Sequence, residues 1–385
     1  MRTFSRFILI SSVAMIAFAI DLTVAAPALA QLTAPSELRV LKDGEVPEER
    51  PATGVKWYPG HYVFIDRRSN SDYLDENNLR LVSAYNDLAP YPIVRGVQVR
   101  YIWRELEPGA KGVYRFDKIL ADADYLQSKG KRLIVQINFK SFAIGQRVVP
   151  PYMEAPEYEM GQLAHGAEGD SGWVMRWWVP AVQDRFLAFL KALGDAIDEH
   201  PAIALVNINE SAVNRPPDTP LWSAWVGAGK SFLGNLGYQM RDYFPNTPTV
   251  NYQNAFPDWF PTYEATSNST GQGVGGPDHA PFAYEDKNWL VPSYDLHRRL
   301  NGKVPICLSV QWPNYPTTYD RGGDAELFFH FARNTIGVTH QTWQRRDPYW
   351  ADVTSLWKSL ETRYPGDPAG GLRSVCPELL APCKK

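Results

Sequence analysis

Ile203-Ala204-Leu205-Val206-Asn207-Ile208-Asn209-Glu210-Ser211 is an apolar run that ends abruptly in polar residues. It is too short for a helix of ordinary length and rich in residues that favour a buried strand. The segment before it, Val182 to Glu199, has amphipathic helical spacing. A helix feeding a fully apolar strand is the unit of a parallel sheet covered by helices.

Working outward, similar runs recur at Tyr62-Val63-Phe64-Ile65, Val94 to Ile102, Arg132 to Asn138, Thr249 to Tyr252, Gly271 to Gly276, Ile306 to Val310 and Ile336 to Thr342. Further helical patterns cover Phe116 to Lys129 and Ala325 to Asn334. The Gly-rich sixth run is the weakest signal. Eight strand–helix units predict a closed (β/α)8 TIM barrel over residues 55–363 rather than an open sheet. Polar or Pro/Gly-rich stretches at 141–175, 211–222 and 257–289 are expected as long loops on the C-terminal rim, where barrels build their sites.

The chain has 385 residues, 44% hydrophobic and 21% charged, enough for a sizeable core. Its net charge of -3 gives no footprint for nucleic acid. The 13 Trp, 20 Tyr and 17 Phe fill cores, and their faces also stack on the C–H faces of sugars. Residues 1–30 read as an export signal: Arg2 and Arg6, an apolar stretch from Phe7 to Ile20, and Ala28-Leu29-Ala30 before Gln31. Asp21 interrupts the apolar stretch, and no membrane span is expected. A secreted or periplasmic location follows, in which Cys376 and Cys383 can pair while Cys307 stays a buried thiol. Residues 31–54 are expected as an extended lead-in and 364–385 as a tail packed on the barrel.

A carboxylate at the rim end of a buried strand is costly without a purpose, and burial raises its pKa toward that of a general acid. Glu210 is therefore the leading catalytic candidate, against the alternative of a Glu held in the rim by backbone N–H groups. Asp278, after Gly275-Gly276-Pro277, is the favoured second carboxylate. Its alternative is ordinary turn chemistry, and Glu285 and Asp286 compete with it. His279 beside Asp278 could tune its charge. Arg100, Lys140 and Arg147 could pair with a carboxylated sugar, or be solvated charges. Gln311 can hydrogen-bond sugar hydroxyls, Tyr252, Trp312 and Trp343 can stack on rings, and His61 reads as structural.

Asn209-Glu210 resembles the acid/base motif that ends strand four in the large clan A superfamily of (β/α)8 glycoside hydrolases. Gly96-Val97-Gln98-Val99-Arg100-Tyr101-Ile102-Trp103, Leu106-Glu107-Pro108 and Gly112-Val113-Tyr114-Arg115-Phe116-Asp117 resemble the strand-two region of its β-galactosidase-like members. The resemblance implies that Trp103, Asn209 and Trp343 bind substrate, with Trp343 flooring a sugar subsite, and that Glu107 is structural. One position departs. The clan's nucleophile is a Glu ending strand seven, where this chain has Gln311, or Ser309 if the register slips.

The leading expectation is a glycoside hydrolase with Glu210 as general acid. If Asp278 is the base, inversion is the simpler outcome. The alternatives are a non-catalytic carbohydrate-binding barrel, which the missing Glu favours, and a lyase on acidic polysaccharide. No Gly-x-Ser-x-Gly elbow, phosphate-binding loop or zinc-ligand spacing occurs. No cofactor, metal or protein partner is expected beyond the carbohydrate.

Overall fold

The computed structural model describes residues 54–65, 79–165, 172–213 and 219–384. The expected export signal over 1–30 lies outside them, as does the lead-in over 31–54 apart from Gly54. Eight strands close into one barrel. They are β1 Gly60–Ile65, β2 Val94–Ile102, β3 Arg132–Asn138, β4 Ile203–Ile208, β5 Thr249–Tyr252, β6 Gly273–Gly276, β7 Ile306–Val310 and β8 His340–Gln344. Every neighbouring pair is parallel, and β8 pairs with β1 to complete the ring. The helices α1 Leu79–Leu88, α2 Asp117–Ser128, α3 Pro180–Ile197, α4 Leu236–Tyr243, α5 Phe260–Thr270, α6 Val291–Leu300, α7 Ala325–His330 and α8 Trp350–Arg363 each follow the strand of the same number. The protein is a (β/α)8 barrel.

Pairing register sorts the side chains. Parallel partners share a face, so Tyr62, Gln98, Gln136, Asn207, Val250, Ser309 and Thr342 belong to the inner surface. Tyr58, Tyr62, Ile134, Leu205, Val250, Tyr252 and Cys307 pack as an apolar cluster of their own inside the barrel. The residues between them, such as Val63, Val97, Val135, Val206, Val310 and Trp343, join the larger cluster shared with the helices. Full burial of each large apolar side chain is worth about 1.5–3 kcal/mol.

β6 is glycine-rich because of its neighbours. A Cβ on Gly275 would lie 2.0 Å from the Cys307 carbonyl oxygen and 2.9 Å from the Tyr252 ring. The strand lacks side chains where Tyr252 fills the interior.

Two sequence boundaries are corrected. The run Ile336 to Thr342 does not begin β8. The turns after α7 continue as a wider helix through Phe331–Ile336, which Gly337 ends in the left-handed region at φ 81°. Ile336 and Val338 are buried as helix end and connection, and the strand starts at His340. The stretch 257–289 is not one long rim loop, because Pro257–Trp259 forms a short helical turn and α5 follows it. Its segment after β6, and 141–165 with 172–175 after β3, do lie beyond strand C-termini. The latter includes a small antiparallel hairpin of Gln162–Ala164 and Trp173–Met175.

The tail lies across the opposite end. Cys383–Lys384 pairs in parallel with Val55–Lys56, just before β1. Lys56 Nζ donates to the Asp198 and His200 carbonyls ahead of β4, both at 2.7 Å. Cys376 and Cys383 are joined by a disulfide, and Cys307 is a buried free thiol.

Candidate active site

β4 carries Asn207 on the inner face, and alternation returns inward at Asn209, whose backbone N–H still bonds to Ile137 of β3. Glu210 follows where the ladder ends, 9% exposed. Its Oε1 lies 2.9 Å from Lys140 Nζ, and its Oε2 accepts from Asn254 Nδ2 at 2.5 Å. The same Asn254 nitrogen donates to Asp278 Oδ2 at 3.2 Å. One amide therefore bridges the two carboxylates, and their nearest oxygens are at most about 6 Å apart, the two contacts laid end to end. That upper limit on the oxygen separation lies below the ~6.5–9.5 Å between the carboxyl groups of inverting glycosidases and is compatible with the ~5–5.5 Å of retaining ones. The Asn254 amide is oriented by Ala212, whose N–H donates to its Oδ1 at 3.3 Å.

Asp278 is otherwise held by neutral donors. Gln311 Nε2 donates to its Oδ1 at 3.0 Å, and Asn314 also hydrogen-bonds it. Burial, then the negative charge of Glu210, push its pKa above the ordinary carboxylate value, against those hydrogen bonds. Gln311 directly follows Val310, the last residue of β7, and its side chain holds Asp278.

Lys140 is no solvated loop charge, because it is 2% exposed. Burial lowers its pKa to about 8, against the opposing pull of Glu210. Its Nζ also donates to the Ala212 carbonyl and lies 4.3 Å from the Phe142 ring centroid. Arg100 donates from Nε to Gln136 Oε1 at 3.0 Å, lies over the Phe64 ring, and repels the Lys140 charge. Arg147 stacks on Trp173 instead, 3.6 Å from its ring centroid. Asn209 donates to Asn138 Oδ1 and accepts from the Glu210 N–H.

The aromatic expectations divide by strand parity. Trp312 lies on the rim, 48% exposed, with Arg346 over its ring and its N–H on Gln344 Oε1. Trp343 faces outward. It is fully buried, donates its indole N–H to His61 Nδ1 at 3.1 Å and packs edge-on against Phe328. A floor for a sugar cannot be built from it, because the inner positions of β8 are Thr342 and Gln344. Tyr252 is inside but sealed, its hydroxyl 3.0 Å from Ser309 Oγ, so its face meets no ligand. Trp103 is also sealed, between Phe186 and Phe189, with its indole N–H on Glu107. Glu107 is buried and structural, receiving Trp103, the Gly112 N–H, Tyr152 and Arg185.

Three further expectations resolve. His279 cannot tune Asp278, because its ring packs on Phe328 and Phe331 and its Nδ1 lies 3.1 Å from Gln341 Nε2. Burial pushes its pKa down to about 3, so it is neutral. Glu285 and Asp286 are engaged by Arg321 in exposed ion pairs. His61 accepts from Trp343 and is held neutral by burial, its pKa lowered to about 4.

Sequence reading missed Asn254, the residue that joins the site. It lies two positions beyond Tyr252, so inward alternation pointed to it. Nothing in an Asn at a strand end marks it as a bridge between carboxylates. Among the described residues no cluster of three or more His, Cys, Asp or Glu could hold a metal ion, and no helix is long and apolar enough to cross a membrane.

The two carboxylates lie just beyond the C-terminal ends of β4 and β6 of the barrel, whose fold is similar to that of several solved structures. The catalytic domain of β-amylase from Paenibacillus polymyxa superposes with a TM-score of 0.55 at 8% identity, covering 80% of this chain and 99% of that one. Endo-glycoceramidase II from Rhodococcus sp. gives 0.49 at 14% identity, covering 77% and 76%. A β-galactosidase from the psychrophilic Marinomonas ef1 gives 0.46 at 12%, covering 78% and 52%. At such identities the likeness is one of fold alone. No protein-family profile and no curated protein sequence matches the chain.

Proposed function

We propose that the protein is an exported glycoside hydrolase that cleaves a poly- or oligosaccharide with Glu210 and Asp278. The observation that supports this reading is the pair of carboxylates, Glu210 buried and Asp278 partly buried, hydrogen-bonded to one amide nitrogen. Two carboxyl groups at this spacing are the machinery glycoside hydrolysis needs. Two like charges so close are otherwise a liability. Asn209, Arg100 and Gln311 supply hydrogen bonding around the pair, and Trp312 supplies an exposed ring for stacking. Export is supported by the leader-like residues 1–30 and by a disulfide, which persists in oxidising compartments.

The test is product analysis of wild type and Glu210→Gln on neutral and acidic polysaccharides, following new reducing ends and ultraviolet absorbance. New reducing ends without absorbance, lost in Glu210→Gln, support hydrolysis. Binding with no product from wild type points instead to a carbohydrate-binding barrel. A lyase is the second reading, favoured by Lys140, which burial lowers to about 8 and so brings toward the range of a general base. It requires absorbing, unsaturated products.

A further inference from the structure

We propose that the two carboxylates divide their work in the order opposite to the superfamily's: Asp278 is the proton donor to the leaving oxygen and Glu210 is the nucleophile. This rests on the hydrolase reading above and concerns which group does what.

The argument starts from unequal surroundings. Glu210 faces a full positive charge, the Lys140 ammonium at 2.9 Å, and a second donor in Asn254 at 2.5 Å. That ammonium cannot swing away, since the Ala212 carbonyl and the Phe142 ring hold it from other sides. Arg100 adds positive potential behind it. An ammonium in contact favours the charged form of a carboxylate over its acid form, which suits a nucleophile. An acid that must release a proton near neutral pH needs the reverse.

Asp278 has the reverse. Its hydrogen-bond partners Gln311, Asn254 and Asn314 are neutral amides, and the like charge of Glu210 acts on it more strongly than the opposite charge of Lys140, which makes no direct contact with it. It is also the group whose pKa is pushed up. When two carboxylates are driven apart in this way, the raised one is the acid and the ionised one the base or nucleophile. The bridging Asn254 keeps both oriented and at a spacing compatible with retention.

The chemistry then balances in two steps. One Glu210 oxygen bonds to the anomeric carbon as the glycosidic C–O bond breaks. The bonding pair leaves with the departing oxygen, which takes the Asp278 proton. In the second step the Asp278 carboxylate takes a proton from water. The water oxygen bonds to the anomeric carbon, and the ester bond to Glu210 breaks, restoring its carboxylate. The anomeric configuration is retained overall.

Two measurements test this, and one needs no substrate. Carbon-13 NMR of the side-chain carboxyls, assigned with Glu210→Gln and Asp278→Asn, should show Glu210 ionising at lower pH than Asp278. The reverse order overturns the proposal. The second uses phenyl and 2,4-dinitrophenyl glycosides of a sugar that wild type cleaves. Asp278→Ala should lose about 100-fold or more on the phenyl glycoside, the scale of general-acid catalysis, and far less on the dinitrophenyl one. Added azide should then give a glycosyl azide of retained configuration. Glu210→Ala should lose both substrates, and azide should give the opposite anomer. The same pattern with the two residues exchanged overturns the proposal. A wild type that cleaves no glycoside or polysaccharide overturns the hydrolase reading itself, and these roles with it, whatever the titration order.

Discussion

Lys140 and Glu210 form an ion pair of 2.9 Å across the rim, between the end of β3 and the end of β4, with side chains 1% and 12% exposed. Breaking a buried pair by removing one partner leaves the other charge uncompensated and costs about 3–5 kcal/mol. Lys140→Met should destabilise the protein by that order, measured by urea denaturation at neutral pH. Adding Glu210→Gln should recover much of the loss, because no lone charge remains.

For the proposed hydrolysis, the same pair should contribute to the alkaline limb of the pH profile. Burial lowers the Lys140 pKa to about 8, so above that pH the contact with Glu210 loses its positive charge and Glu210 loses the partner that holds it in place. A fall in kcat/KM through about pH 8 is expected. Lys140→Arg, whose guanidinium stays protonated, should move that fall to higher pH. An unmoved limb would assign it to another group.

The two tryptophans at the ends of β7 and β8 should separate cleanly. Trp312→Ala removes an exposed rim ring and should weaken oligosaccharide binding about tenfold, with denaturation midpoints unchanged. Trp343→Ala opens a cavity in the helix-facing core and strips His61 of its donor. It should cost about 3–5 kcal/mol, read from the unfolding midpoint.

Gly275→Ala should be poorly tolerated although it adds one methyl group. The Cβ would meet the backbone carbonyl of Cys307, which cannot rotate away. A loss of about 3 kcal/mol is the scale for overpacking, measured by chemical denaturation. Gly109→Ala, where a Cβ meets nothing within 4 Å, is the control.

Most of the barrel could be read from its strands because parallel strands are buried on both faces, so their apolar runs stand out. Glu210 was visible for the same reason, as a carboxylate ending such a run. A sequence shows that Trp343, Tyr252 and Trp103 are aromatic, but only the packing shows that all three are sealed. Trp343 is one residue out of phase with the inner surface. The choice between a paired and a solvated Lys140 was not legible, because burial of a lysine depends on what folds over it, here the hairpin whose Val174 bridges to it. Asn254 went unseen because its importance lies in two partners far away in the chain. The end of α7 was misplaced because apolar residues of a wide helical turn and of a strand look alike until Gly337 separates them.

The pairing of Cys383–Lys384 with Val55–Lys56 puts the tail at the face of the barrel away from the carboxylates. Lys384 reaches Asn246 there with its amine. A protein anchored to a bead through that residue would hold its carboxylate-bearing face toward the liquid, so under the proposed hydrolase reading immobilisation by the tail should leave polymeric glycans free to approach. The disulfide that ties Cys383 to Cys376 would carry any pull on such a tether into the tail rather than into the strand pairing alone.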